Sequence, residues 1–222
     1  GDDRTLENQK YSAIGEIIYT RNFGSIKWNT GYEGSFAFLH SKAKNLYGDF
    51  NYRSRFFSQY AYTELAGLYG RLSYRVSMGI NHLNNIVDEQ RTPQWGINPR
   101  ILLAYMWGGG HTTQLHYRWM IETPGINELS TNISNQSIDI LETGNPKVIG
   151  ASAHAATLVH SFENKYLTLN CAYAYAYGSN PFVEYYEERA GKLWNTIANG
   201  YYTWQSGALV MANIKPFGNN FL

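Results

Sequence analysis

The sequence predicts an all-β chain, an antiparallel up-and-down transmembrane β-barrel of about ten strands. Three observations lead there. Apolar and polar residues alternate with period two through several long stretches. Tight turns rich in Gly and Asn alternate along the chain with long polar connections. The composition is aromatic but weakly charged: 222 residues include 19 Tyr and 21 Gly, with 16% aromatic and 16% charged residues. Soluble domains usually carry roughly 25% charged residues. The mean hydropathy of −0.40 shows that the chain is not oily throughout, so its apolar residues must be confined to faces.

The alternating stretches can be taken in chain order. In residues 26–38, Ile26, Trp28, Tyr32, Phe36 and Phe38 share one face, and Lys27, Asn29, Gly31, Glu33 and Ser35 share the other. Residues 71–81 alternate without a break: Leu72, Tyr74, Val76, Met78 and Ile80 against Arg71, Ser73, Arg75, Ser77 and Gly79. Residues 114–121 set Leu115, Tyr117, Trp119 and Ile121 against Gln114, His116 and Arg118. Residues 167–177 set Leu167, Leu169, Cys171 and Tyr173, Tyr175 and Tyr177 against Thr168, Asn170 and three alanines. Residues 203–215 carry Trp204, Ala208, Val210, Ala212 and Ile214 on one face. A helix cannot sort these residues, whereas a strand sends neighbours to opposite faces.

Turn signals fall at Asn22-Phe23-Gly24, Leu68-Tyr69-Gly70, Gly108-Gly109-Gly110, Glu163-Asn164-Lys165 and Phe217-Gly218-Asn219. Gly and Asn accept the positive φ that hairpin turns need. Residues 40–53, 83–96, 123–152 and 178–194 read as long polar loops. Short turns at one end and long loops at the other are the asymmetry of outer-membrane barrels. Tyr173, Tyr175 and Tyr177 at the loop end, with Tyr19, Trp28 and Trp107 at the turn end, suit the two interfacial girdles. The strands reach about 11 to 15 residues, nearer to membrane-spanning length than the five or six usual in soluble sheets. Residues 1–10 read as a polar N-terminal segment or processed end, and residues 11–222 as one barrel domain.

Other classes find little support. No run of about 18 apolar residues exists, which excludes a helical membrane protein. The net charge is +1 without a Lys/Arg cluster, so nucleic-acid binding lacks its electrostatic footprint. Cys171 is the single cysteine, which leaves no disulfide framework and no Cys-x-x-Cys metal site. No signal peptide is legible, and the polar start at Gly1-Asp2-Asp3-Arg4 means that this says nothing against export.

Several segments together resemble TonB-dependent outer-membrane receptors of the bacteroidete type. Gln59-Tyr60-Ala61-Tyr62-Thr63-Glu64-Leu65, then Gly70, then Ser77-Met78-Gly79-Ile80 look like one of their barrel hairpins. Pro99-Arg100-Ile101-Leu102-Leu103-Ala104-Tyr105 through His116-Tyr117-Arg118 has the layout of the next, leading into Thr123-Pro124-Gly125-Ile126-Asn127-Glu128-Leu129. Thr143-Gly144-Asn145-Pro146 resembles the family's Gly-Asn-Pro loop, although Lys147-Val148-Ile149 stand where the family has Leu and then Pro. The pieces cover about residues 11–216. The resemblance implies the central strands of a 22-stranded barrel in the bacterial cell outer membrane, surrounded by lipid. It also implies a TonB partner reached through a plug absent from this chain, and import of a scarce or bulky nutrient such as a siderophore, glycan fragment or peptide. Gly144, Asn145 and Pro146 are then the family-like loop.

Chemistry finds few anchors. No Gly-x-Ser-x-Gly or His-Glu-x-x-His occurs, so no enzyme and no cofactor are expected. His154 and His160 share a strand face but lie about 20 Å apart on an extended chain, too far for one metal, and no metal site is expected. Gly108-Gly109-Gly110 reads as a turn and not a phosphate loop. Glu184, Glu187 and Glu188 read as a solvated loop, Asn132 and Asn135 as ordinary polar loop residues, and Cys171 as a small hydrophobe. Lys27, Glu33, Glu64, Arg71, Arg75, His116 and Arg118 are the candidates for a hydrated lumen. Two other readings remain open at this point: a self-contained small barrel with a structural or adhesive role, and a soluble ligand-binding β-barrel.

Overall fold

The computed structural model describes residues 5–45, 48–131, 133–135 and 140–215. A long antiparallel wall is built from β1 (Thr5–Phe23), β2 (Ile26–Asn45), β3 (Gly48–Tyr69), β4 (Leu72–Val87), β5 (Gln90–Ile97), β6 (Arg100–Gly108) and β7 (His111–Glu122). After α1 (Ile126–Leu129), β8 (Ser134–Asn135) and β9 (Ile140–Glu142), the wall resumes with β10 (Ala151–Glu163) and β11 (Leu167–Ser179). The hairpin β12 (Phe182–Arg189) and β13 (Lys192–Asn199) precedes the last wall strand, β14 (Tyr202–Ile214). The ten-stranded sheet runs β1-β2-β3-β4-β6-β7-β10-β11-β14, with β5 also on β4. Strands β8, β9, β12 and β13 form a separate four-stranded sheet.

The turn end follows the expected chemistry. Gly24 and Gly70 take positive φ of 58° and 57°, where a side chain would be strained. Asn164 closes its turn by accepting the amides of Tyr166 and Leu167, each at 2.8 Å. The turn expected at residues 217–219 lies outside the described residues. β5 and β6 are one wall row interrupted at Asn98-Pro99. Proline has no N–H to give the ladder, and the Asn98 amide instead reaches the Gly79 carbonyl at 2.7 Å.

At the loop end the structure departs from the sequence expectation. Most of residues 40–53, 83–96 and 178–194 is strand, not open loop: β2 and β3 continue to Asn45 and from Gly48, β4 and β5 form a hairpin, and β12 and β13 form another. These extensions run beyond the apolar wall face, and on β3 and β4 their inner side packs on the loop layer, where Ser54, Asn85 and Val87 are buried. Polar side chains serve on both sides there, so the apolar alternation fades and polarity alone reads as loop. Of the expected loop at residues 123–152, the described residues before β10 are largely irregular.

Register confirms the faces. Leu72, Tyr74 and Val76 lie opposite Tyr105, Leu103 and Ile101, while Ser73, Arg75 and Ser77 lie opposite Ala104, Leu102 and Arg100. The apolar faces do not meet in a core: Tyr32, Leu65, Ile80, Leu158 and Tyr173 are all exposed. The buried apolar core among the described residues is small and lies at the loop end, where Val87, Leu129 and Val148 pack together beside Ile197. An apolar wall face this large needs a non-aqueous neighbour. β1 pairs with β2 and β14 with β11, and the described residues show no pairing of β1 with β14. The sheet is therefore an open wall, not a closed barrel. No helix among the described residues is long and apolar enough to cross a membrane.

Candidate functional site

The antiparallel ladder fixes which side chains share the polar face. Starting from β1, the register Thr20–Asn29, Asn29–Glu64 and Glu64–Ser77 carries one polar row across four strands. Thr20 Oγ1 donates to Asn29 Oδ1 at 2.9 Å, and Asn29 Nδ2 donates to Glu64 Oε1 at 3.0 Å. Arg75, one step diagonal, brings Nε to 3.7 Å from the same carboxylate oxygen. Beside this row, Tyr60 and Tyr62 stack with ring centroids 5.2 Å apart.

On the same face the sheet curves around a cavity of about 510 Å³ that reaches from Glu64 on β3 to Thr157 on β10. Glu64, Arg75, Arg100, His116 and Arg118 contribute its charged and titratable lining. Three guanidinium groups meet one carboxylate there, so the hollow is electropositive. His116 Nε2 lies 3.3 Å from Gln114 Oε1.

Of the residues singled out from sequence, Glu64, Arg75, His116 and Arg118 therefore come together. Lys27 and Glu33 lie on the same face, opposite Ala66 and Tyr60, but away from the cavity. Arg71 sits in the turn before β4, where its Nη1 donates to the Trp107 carbonyl at 2.7 Å. Sequence reasoning missed Arg100 as a member. The register Arg100–Arg118 and Ser77–Arg100 puts it on the polar face, yet the break at Pro99 hides its alternation.

Gly144, Asn145 and Pro146 lie apart from the cavity, in the loop layer. The Gly144 amide donates to the Ser130 carbonyl at 2.8 Å and the Asn145 amide to the Glu128 carbonyl at 2.6 Å. Asn145 Nδ2 donates to the Ile197 carbonyl at 2.9 Å while Oδ1 accepts the Lys147 amide at 3.0 Å. One asparagine thus ties the α1 segment to the β12–β13 hairpin. A Cβ on Gly144 would lie 2.5 to 2.7 Å from three carbonyl oxygens, those of Asn127, Ser130 and Glu128, which explains the glycine. Asn85 Nδ2 donates to the Pro124 carbonyl at 2.7 Å and pins this layer to the polar face of β4.

The histidines are separate. His154 Nδ1 lies 2.8 Å from the Tyr117 hydroxyl, and its ring stacks on Trp119. His160 lies 2.9 Å from Thr113 Oγ1 and 3.3 Å from His111. The described residues hold no group of three or more His, Cys, Asp or Glu that could bind a metal ion.

Comparison with known proteins bears on the fold. Residues 2–222 match the outer membrane protein beta-barrel family. Among solved structures, the copper transporter OprC superposes with a TM-score of 0.78 at 12% identity, covering 97% of this chain and 36% of that one. A double mutant of the Serratia marcescens hemophore receptor HasR, in complex with its hemophore HasA and heme, gives 0.74 at 11% identity, covering 96% and 40%. A mutant of the ferric enterobactin receptor PfeA from Pseudomonas aeruginosa, in complex with enterobactin, gives 0.64 at 12% identity, covering 96% and 34%. Identities this low show the fold alone. The chain spans between a third and two fifths of the length of these proteins. No curated protein matches the chain.

Proposed function

The chain belongs to the outer membrane protein beta-barrel family and resides in the bacterial outer membrane, and from that premise we propose that it forms wall strands of a TonB-dependent receptor importing a scarce or bulky nutrient. The observation that carries this reading is the electropositive hollow on the polar face, lined by Glu64, Arg75, Arg100, His116 and Arg118. In this reading the polar face is the lumen. Lys27, Glu33, Glu64, Arg71, Arg75, His116 and Arg118 are its hydrated lining, and the solute passes along it. The work is binding and gated passage without a chemical reaction, driven through TonB and a plug outside this chain. The surplus of guanidinium over carboxylate favours a solute that carries acidic groups. The open edges of β1 and β14 support a wider wall over a small self-contained barrel, since unpaired strand edges in hydrocarbon cost several kcal/mol for each unsatisfied amide.

The test is growth. A strain deleted for the full-length gene is compared with wild type on a panel of limiting sources of iron chelates, copper, glycan fragments and peptides. The expected result is a defect on one class that is matched in a strain lacking TonB and restored by the intact gene. Equal growth on every source, with the protein present in wild-type membranes, overturns the reading.

A further inference from the structure

We propose that the outward face of the wall holds a lipid-phosphate site formed by Arg53, Arg55 and Arg91 at the outer-leaflet headgroup level. The argument begins with the faces. At the loop end of β3 and β4, Ser54, Asn85 and Val87 are buried. Ser54 donates to Asn85 and Asn85 to the Pro124 carbonyl, so this side faces the loop layer. Strand alternation then turns Arg53, Arg55 and Ile86 the other way, onto the face that carries Phe36 and Phe57, whose rings lie 5.0 Å apart. Arg55 and Arg91 both lie opposite Ile86, one from each neighbouring strand.

Depth comes next. Trp28 at the turn-end girdle lies opposite Leu65, and Phe38 opposite Arg55. From Leu65 to Arg55 is about ten residues, the length a tilted strand needs to cross the hydrocarbon. The arginines therefore emerge where the apolar face ends and the headgroups begin. On the loop side this is the outward-facing leaflet.

Chemistry completes the case. Arg55 and Arg91 flank Ile86 at two strand spacings, about 10 Å, and Arg53 stands about 7 Å from Arg55 along β3. Side chains of arginine length converge from these positions on one anion. A cavity of about 610 Å³ lies among the three, with Asn51, Ile86, Asp88 and Glu89 also at its wall. Asp88 accepts the Arg53 backbone amide at 2.9 Å, and none of the three guanidinium groups forms an ion pair or hydrogen bond with a described side chain. Guanidinium pairs with phosphate through two parallel N–H···O bonds. At this level of a bacterial outer membrane the available phosphate belongs to the phosphorylated glycolipid of the outer leaflet.

The experiment uses the full-length protein in nanodiscs, with lipid A as the probe. Wild type is expected to retain phosphorylated lipid A through delipidating washes, read by mass spectrometry, at least tenfold better than dephosphorylated lipid A. Millimolar inorganic phosphate is expected not to displace it. The triple variant R53Q/R55Q/R91Q should lose that preference, while the triple lysine variant should keep part of it. R21Q, an outward charge at the opposite rim, should behave as wild type. The heat-dependent gel shift of a folded barrel reports integrity in every variant. Equal retention of both lipids by wild type overturns the proposal, as does full retention by a folded triple glutamine variant. Displacement by inorganic phosphate alone overturns the lipid assignment.

Discussion

Arg100 and Arg118 stand directly opposite each other across β6 and β7, on the face that holds the cavity. Like charges in that position repel, and the carboxylate that lines the cavity, Glu64, is engaged by Arg75 and Asn29. Neither arginine forms an ion pair with another described residue. Arg100 is instead held over the Tyr60 ring at 5.5 Å.

Replacing one of the pair tests that relationship. Arg118→Glu should stabilise the wall by about 0.2–1 kcal/mol, the range of a favourable cross-strand charge pair. It should also weaken uptake of any acidic solute. A rise in the urea midpoint of the full-length protein checks the first outcome, and an unchanged or lower midpoint speaks against the opposition of charges.

The two faces of β10 allow a paired comparison between adjacent residues. Leu158 is 48% exposed on the apolar face, and Thr157 lines the cavity on the other. Leu158→Arg should cost about 2–4 kcal/mol near the midplane of the hydrocarbon. Thr157→Arg, entering a hydrated hollow, should cost under about 1 kcal/mol. Equilibrium folding into lipid vesicles measures both, and equal costs would contradict the assignment of faces.

Tryptophan quenching reads the same faces without changing charge. Trp28 donates to Thr63 and Trp107 to Thr113, each at 2.8 Å, on the apolar face near the turns. Single-tryptophan variants retaining Trp28 or Trp107 should be quenched by brominated acyl chains. A variant retaining Trp194, in the loop sheet, should not.

Two glycines should respond differently to alanine. A Cβ on Gly31 would meet the Tyr62 ring at 2.7 Å, whereas one on Gly144 would meet three backbone carbonyls. A side chain can swing aside but a tied backbone cannot. Gly31→Ala should therefore cost about 1 kcal/mol or less, and Gly144→Ala about 1–3 kcal/mol through crowding in the loop layer. Hydrogen exchange should rise over residues 125–131 and 143–149 in Gly144→Ala and leave the amides of β1 to β4 unchanged.

The wall faces were legible because lipid and water impose opposite demands on neighbouring residues, and residues 71–81 record them without interruption. The same logic hides the extensions beyond the membrane. Where the outer face has left the apolar band and the inner face is held by polar contacts, as Asn85 is on the Pro124 carbonyl within residues 83–96, the alternation fades and a hairpin looks like a loop. The meeting of Glu64, Arg75, Arg100 and Arg118 depends on register across four strands, which spacing within one strand cannot reveal. Gly144 could be recognised by its motif, but its reason lies in carbonyls of α1 and its flanks. The contact of His111 with His160 likewise joins residues that only the β7–β10 pairing brings together.

The sheet order has a consequence for assembly. Wall neighbours are almost all successive in sequence, from β1 through β7 and then β10, β11 and β14. Each hairpin can close on the one before it, so contact order along the wall stays low, and low contact order favours rapid folding. Two pairings break this rule: β7 with β10, because the segment holding α1, β8 and β9 between Glu122 and Ala151 must first leave the wall and return, and β11 with β14, because the β12–β13 hairpin between Ser179 and Tyr202 must do the same. These two junctions are therefore the steps most exposed to delay, and a defect that loosens the loop layer that leaves the wall there should appear first as slow completion of the wall from β10 to β14.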